Sequence, residues 1–138
     1  MKCNVLQIMS SPKYWLLALL IGTCLRVNAA TDLPVGVWRG DSLCATDAPS
    51  CTNEKVVYYI EAVADKPNFV SIRADKIVDG KAITMGTSEW EYNQAKQTLS
   101  WQANQRLWFL SISGKRMEGT LTLPGNVIFR RMTLRKDE

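Results

Sequence analysis

From residue 30 onward the chain is a succession of short segments rich in β-branched and aromatic residues, none with the length or periodicity of a helix. Gly, Pro, Asn and Asp interrupt them at short intervals, a pattern typical of strands joined by tight turns. Asp79-Gly80 is a favoured hairpin pair, because both central residues of a I′ turn need positive φ. The predicted strands are residues 35–40, 55–63, 69–74, 82–92, 98–103, 106–111, 116–123 and 127–135, with a short extra strand at 76–78.

About eight strands in an antiparallel meander must protect their unpaired edges. Closure into a small up-and-down β-barrel does so most completely. A β-sandwich is the alternative, but it needs longer crossovers than this chain offers outside residues 41–53. The predicted fold class is therefore all-β, with a barrel preferred. Glycines within residues 85–87 and 117–120 are interpreted as corners of the closing sheet.

Residues 1–29 are predicted to be a cleaved signal peptide, which leaves residues 30–138 as a single β-barrel domain. Lys2 and Lys13 supply the positive region, and residues 14–25 form the apolar run. A transmembrane helix needs roughly 20 apolar residues, so this run is too short to remain in a membrane. We therefore expect an exported protein, either periplasmic in a bacterium or secreted.

The leader also contains a second processing pattern. Small residues precede the expected cleavage after Ala29, but the Ile-Gly-Thr-Cys sequence ending at Cys24 resembles a bacterial lipobox. In that alternative, Cys24 becomes the acylated first residue of a membrane-anchored lipoprotein. The sequence leaves both processing routes open.

Charge and composition exclude several kinds of function. The leader holds three of the 17 basic residues, so 14 remain against 13 acidic ones, a net charge of about +1. Such a balance argues against nucleic-acid binding, which requires a concentrated basic surface. The chain has no His, which removes His-dependent nucleophilic catalysis and His-ligated metals. Carboxylate-pair hydrolysis would have to use residues such as Asp75, Asp79, Glu89 and Glu91, but turns and outward strand faces account for these four. We expect no enzyme, metal or cofactor.

Cys44 and Cys51 are the only cysteines left after removal of the leader. Their spacing is too long for a C-x-x-C redox motif, and no His is present to complete a metal site. An even number of cysteines in an oxidising compartment favours a disulfide, here closing a surface loop.

Period-two alternation assigns the two faces of each strand. Leu107 and Phe109 are expected to face outward, where an apolar pair is either a partner contact or ordinary surface. The residues expected to face inward are Val70, Ile72, Ala74, Leu99, Trp101, Trp108, Leu110, Ile112, Met117, Gly119, Leu121, Leu123, Ile128, Arg130, Met132 and Leu134.

The first and last strands carry a resemblance. Gly36-Val37-Trp38 opens the domain, and Arg130 is a basic residue on the apolar face of the final strand. Together they resemble the calycin pattern of lipocalins and avidin-type barrels. The resemblance implies a structural latch of Gly36, Trp38 and Arg130, with the guanidinium stacked across the indole. The ends of strands seven and eight are also similar to small uncharacterised exported bacterial proteins, which implies no activity.

The predicted barrel suggests two hypotheses for the function. The first is a binding protein that holds a small apolar or amphipathic ligand inside the barrel. If Trp90 faces inward, small residues of the same strand leave room for a cavity. Alternatively, a bulge at Gly86 reverses the alternation, and Ile83 and Met85 fill the interior. The predicted cavity residues are Tyr58, Gly86, Ser88, Trp90, Tyr92 and Trp108.

The second function is a protein-interaction module, such as an inhibitor of an exported hydrolase. The contact would be the disulfide-stapled loop at residues 41–53, because a preorganised loop loses less freedom on binding. The sequence specifies neither the ligand, nor the partner, nor the oligomeric state.

Overall fold

The computed structural model describes residues 32–138. The predicted leader, its cleavage after Ala29 and the alternative anchor at Cys24 lie outside them. Eight antiparallel strands form a closed barrel, in which each strand pairs with the next and the last pairs with the first. This confirms the predicted all-β up-and-down barrel. The strands are β1 (Gly36–Cys44), β2 (Glu54–Ala62), β3 (Phe69–Val78), β4 (Lys81–Asn93), β5 (Thr98–Ala103), β6 (Arg106–Ser113), β7 (Arg116–Leu123) and β8 (Val127–Lys136).

Tight turns join the strands as the sequence predicts. Asp79 and Gly80 have φ values of 49° and 76°, as a I′ hairpin requires. Asn104 and Gln105 have φ values of 50° and 60°, so β5 and β6 are joined by a second two-residue turn. Within residues 32–138, no helix is long and apolar enough to cross a membrane.

β1 and β3 continue well beyond their predicted ends because their neighbours continue to pair with them. The short extra strand at 76–78 belongs to β3, since β2 remains in register as far as the pair Lys55 and Ile77. β1 extends to Cys44, because residues 41–44 pair with β8 where the barrel closes. The loop that carries the disulfide therefore begins at Ala45.

Alternation assigns most of the core correctly. Leu99, Leu110 and Met117 are completely buried, as expected for the inward faces of β5, β6 and β7. Phe109 on the outer face of β6 is 42 % exposed. The inner faces of the strands therefore form one continuous apolar core.

Two β-bulges interrupt the alternation. In β4, Met85 is the extra residue, since Gly86 pairs with Ala74 while Thr84 pairs with Asp75. In β8, Phe129 is the extra residue and packs against the core. The expectation that Ile128 shares the inward face is therefore wrong, because one inserted residue changes the face of everything beyond it.

Two glycines allow neighbouring strands to approach closely. A Cβ on Gly40 would lie 1.9 Å from the carbonyl oxygen of Thr133 in β8. A Cβ on Gly119 would lie 1.9 Å from the carbonyl oxygen of Phe109 in β6. Both contacts involve backbone, which cannot move aside, so these positions require glycine. Both glycines predicted to mark corners of the sheet have a structural role. Gly119 allows β7 to approach β6 closely, and Gly86 lies at the edge of the bulge in β4.

The latch across Trp38 uses a different basic residue from the one expected. Lys136, which pairs directly with Trp38, places its Nζ 5.9 Å from the indole centroid. Gly36 provides the room, since a Cβ there would lie 2.9 Å from the Lys136 Cε atom. Arg130 pairs instead with Cys44, at the opposite end of β1. The prediction that Arg130 belongs to the latch is therefore wrong. The register in which β8 pairs with β1, and not the face of β8 alone, determines which basic residue reaches Trp38.

The chain that precedes β1 seals this end of the barrel, which we call the latch end. Trp38 donates its Nε1–H to the Pro34 carbonyl oxygen at 2.9 Å, and Tyr92 donates its hydroxyl to the Asp32 carbonyl oxygen at 3.1 Å. Leu33 packs against the core. Trp38 is consequently only 1 % exposed.

Candidate ligand-binding site

The barrel is least tightly joined between β4 and β5. These strands share three residue pairs, from Glu91 with Ser100 to Asn93 with Thr98. Toward their other ends they diverge, so residues 81–90 of β4 pair only with β3, and residues 101–103 of β5 pair only with β6. We call this opening the β4–β5 gap.

A cavity of about 250 Å³ lies at this gap. Its walls come from five neighbouring strands, β2 to β6, and are largely apolar and aromatic. Gly86 enlarges it, because nothing lies within 4 Å of the position that a Cβ would occupy there. The cavity is lined by Tyr58, Ile72, Ala74, Met85, Gly86, Thr87, Ser88, Trp90, Trp101 and Trp108.

Three tryptophans form a continuous aromatic wall in this cavity. Trp101 and Trp108 are directly paired across β5 and β6, with ring centroids 4.4 Å apart. Trp90 lies on the other side of Trp101, at 5.9 Å. Its Nε1–H donates to the Ser88 hydroxyl at 2.8 Å, so the polar edge of this buried ring is satisfied. Such a wall suits a flat apolar group that can stack or pack edge to face.

Five of the six predicted cavity residues come together here. Tyr92 does not, because it is buried at the latch end with its hydroxyl on Asp32. The predicted bulge is present beside Gly86, but Ile83 and Met85 do not fill the interior, as they are 46 % and 47 % exposed. The prediction of a cavity inside the sheet near Gly86 therefore agrees with the geometry, while the alternative of an interior filled by Ile83 and Met85 does not.

The cavity also has five lining residues that were not predicted from the sequence: Ile72, Ala74, Met85, Thr87 and Trp101. A signal for Trp101 was present, because a two-residue turn at Asn104-Gln105 pairs Ala103 with Arg106 and hence Trp101 with Trp108. Two tryptophans directly opposite each other at the start of a hairpin indicate an aromatic surface. The other residues depend on the bulge, which the sequence marks only by a glycine.

Tyr58 lies at the inner wall of the cavity. It is 5 % exposed and donates its hydroxyl to the Met132 Sδ atom at 3.3 Å, a weak acceptor. Burial is the main cause that raises the pKa of Tyr58 to about 12, with Arg130 acting in the opposite direction. Tyr58 therefore remains a protonated donor at neutral pH, with only a weak hydrogen bond to exchange for a better one.

Beyond Tyr58, the inward face carries a charged group, which we call the mouth cluster: Glu54, Lys76 and Arg130. Arg130 Nη1 lies 3.4 Å from one Glu54 carboxylate oxygen, and Lys76 Nζ lies 3.7 Å from the other. Arg130 also donates to the Thr52 carbonyl oxygen at 2.9 Å. Its side chain is only 14 % exposed. The mouth cluster thus combines two cations with one carboxylate.

The disulfide loop closes over the same end of the barrel, which we call the loop end. Cys44 and Cys51 are bonded, as predicted, and a disulfide is typical of an oxidising compartment. The Cys44 N–H donates to the Asn53 side-chain oxygen at 2.8 Å, and Ala45 N–H donates to the Phe129 carbonyl oxygen at 3.0 Å. Together with the Arg130 contact, these bonds hold the loop in one conformation.

Two of the carboxylates singled out in the sequence take part in separate ion pairs, one with the buried Asp75 and one with the exposed Glu89. Asp75 lies 3.6 Å from Arg73 Nε, and Glu89 accepts from Lys66 Nζ at 2.6 Å. In the part of the chain from residue 32 to 138, no three Cys, Asp or Glu side chains are grouped to hold a metal ion.

Fold and site together define a class: a closed eight-stranded antiparallel β-barrel with a tryptophan-lined cavity at a gap between two strands. The chain matches no protein-family model, and no curated protein is significantly similar to it in sequence.

Proposed function

We propose that this protein is a non-enzymatic binding protein that holds a small apolar or amphipathic molecule against the tryptophan wall. The observation that carries the proposal is a cavity bordered by three tryptophan rings, of which Trp101 and Trp108 are only partly buried. Trp38, in contrast, shows how this chain buries a tryptophan when the side chain serves only the core.

The size of the cavity limits the ligand. At about 250 Å³ it lies just below the range of roughly 300–1,000 Å³ found for drug-sized molecules. One aromatic ring with a short substituent is therefore the expected size. The few polar groups in the wall, among them the Thr87 and Ser88 hydroxyls, would orient such a molecule more than they would hold it.

The latch gives the proposal secondary support. A basic residue of the last strand over the first-strand tryptophan is what the calycin resemblance implies, and Lys136 meets this condition over Trp38. Barrels of that kind commonly enclose small ligands. A shared architecture identifies no particular ligand.

Native mass spectrometry of the protein recovered from its own compartment tests the proposal. We expect a native mass above the denatured mass by on the order of 200 Da, the size that fits this cavity. In Ala74→Leu the added carbons project into the cavity opposite Gly86, so this variant should stay folded and lose the extra mass. Ala82→Leu is the matched control, since Ala82 is exposed and does not line the cavity.

Two results would count against the proposal. One is a wild-type protein that is bare in the native spectrum and whose tryptophan emission does not respond to millimolar benzyl alcohol. The other is an extra mass that Ala74→Leu retains, which would place the ligand elsewhere on the protein.

A second candidate function, a protein-interaction module, is favoured by the fixed conformation of the disulfide loop. The loop is held by Asn53, Phe129 and Arg130 as well as by its own disulfide, so little freedom would be lost on binding. Co-purification from the native compartment distinguishes the two functions. A protein partner lost on Arg130→Met, but retained on Ala74→Leu, would favour the loop.

A further inference from the structure

The mouth cluster lies next to the proposed ligand site. Ala74 lines the cavity, and Lys76 follows it by two residues on the same inward face of β3, opposite Val56 of β2. Tyr58 belongs to the cavity wall, while Glu54 and Arg130 are close enough to influence its ionisation. Tyr58 therefore joins the apolar cavity to the charged cluster.

The charges of the mouth cluster are not balanced. Glu54 is the one carboxylate between Arg130 and Lys76, which leaves a surplus of about one positive charge where the side chains are mostly buried. A partly desolvated charge is costly unless it has a partner. An incoming anion would supply that partner.

Of the two cations, Lys76 is the one able to meet a ligand. Arg130 already donates to the Thr52 carbonyl oxygen and holds the disulfide loop. Lys76 Nζ is 3.7 Å from Glu54, beyond hydrogen-bond distance, and its side chain is 36 % exposed. Its flexible four-carbon stem lets the ammonium change position without movement of the backbone.

We propose that the ligand is a small aromatic acid, with its ring on the tryptophan wall and its carboxylate beside Tyr58 and Lys76. This inference rests on the proposed function. The Tyr58 hydroxyl would leave the weak Met132 acceptor and donate to the carboxylate, and Lys76 would supply the countercharge. Charge-assisted bonds of this kind are roughly twice as strong as neutral ones. The apolar wall would then set the affinity for the ring, and the mouth cluster would select the charge.

A pair of compounds of equal size tests the charge selection. We would titrate the protein with 3-phenylpropanoate and with 3-phenylpropanamide, and follow the emission of the tryptophans. The described residues contain four tryptophans, and three of them line the cavity, so the protein reports its own occupancy. We expect the acid to bind about tenfold more tightly than the amide.

Variants of Lys76 test whether this residue causes the preference for the acid over the amide. Lys76→Met keeps the stem and removes the charge, so the preference for the acid should fall to within about twofold, while Lys76→Arg should retain it. Lys55→Met is the control, because Lys55 is exposed and paired with Asp41. Binding of the amide should be the same in all four proteins.

Equal binding of acid and amide to the wild type would overturn the inference and leave the proposed function standing, since both compounds would still occupy the cavity. A preference that survives Lys76→Met would also overturn it. If neither compound binds, the inference falls, and the native mass then decides the proposed function separately.

Discussion

Trp38 at the latch end and the tryptophan wall at the β4–β5 gap use the same side chain in opposite ways. Around Trp38, strand pairing is continuous, a segment of chain accepts its Nε1–H, and Lys136 covers the ring. Around Trp101 and Trp108, β4 leaves β5 after three residue pairs, and the rings stack beside an opening. The difference indicates that the extent of strand pairing decides whether an aromatic side chain is enclosed in the core or borders an opening.

The sharpest test of this contrast is the loss of each tryptophan in turn. Trp38→Ala should reduce the free energy of unfolding by about 3–5 kcal/mol, because it empties a sealed site in the core. Trp108→Ala should reduce it by clearly less, since that ring is half-buried and already borders a cavity. Urea unfolding followed by circular dichroism measures both. Equal midpoints for the two variants would contradict the contrast.

The second test asks whether water is excluded from the cavity wall beside Tyr58. Above about pH 10 an unfolded tyrosine loses its proton, whereas Tyr58, with a pKa of about 12, keeps it in the folded protein. The unfolded state then binds fewer protons, so stability should fall by about 2–3 kcal/mol as the pH rises from about 10 toward 12. Tyr58→Phe should remove that part of the loss.

Tyr59→Phe is the control for this alkaline loss, because Tyr59 lies on the outer surface under Arg73. The measurement is the urea midpoint of each protein at neutral pH and at about pH 11. A loss of the same size in wild type and Tyr58→Phe would show that the wall beside Tyr58 is wet.

The third test separates two neighbouring arginines at the loop end. Arg130→Met should cost about 1–3 kcal/mol, because Glu54 and the Thr52 carbonyl oxygen lose their charged partner. Arg131→Met should change stability by no more than about 0.5 kcal/mol, since Arg131 is exposed on the outer face. Thermal unfolding of both variants provides the comparison, and similar losses would mean that Arg130 does not hold the loop.

The smallest expected effect belongs to the latch. Lys136→Met should cost about 0.5–1 kcal/mol, the value of a partly exposed cation–π contact. Lys115→Met is the control, since Lys115 makes only an exposed contact with Glu138. If both substitutions leave the thermal midpoint unchanged, Lys136 merely covers Trp38.

The sequence predicted what depends on local pattern. Turn residues such as Asp79-Gly80 marked the hairpins, and alternation placed Leu99 and Leu110 inside. It could not choose between Arg130 and Lys136, since both lie on β8 and the choice depends on how β8 pairs with β1, at the other end of the described chain. The bulge at Phe129 was missed because no glycine marks it, and so Ile128 was assigned to the wrong face.

The candidate site was partly predictable for the same reason. Trp90, Ser88 and Gly86 follow from alternation along one strand, whereas Tyr92, two residues further on, belongs to the sealed latch end. The departure of β4 from β5 produces the cavity, and it results from the unequal lengths of two strands that also pair elsewhere. No segment of sequence contains that information by itself.

The short seam between β4 and β5 has a kinetic consequence. Three residue pairs are a small unit to open locally, and a local opening needs far less free energy than unfolding. The Tyr92 N–H donates to the Asn68 carbonyl oxygen, on the β3 side, so Glu91 and Asn93 are the residues of β4 whose N–H groups point toward β5. We therefore expect the amide hydrogens of Glu91 and Asn93 to exchange faster than those of the fully paired strands β2 and β3. Each local opening of these residue pairs would widen the entrance to the cavity. The rate of this opening would then set the residence time of a bound molecule.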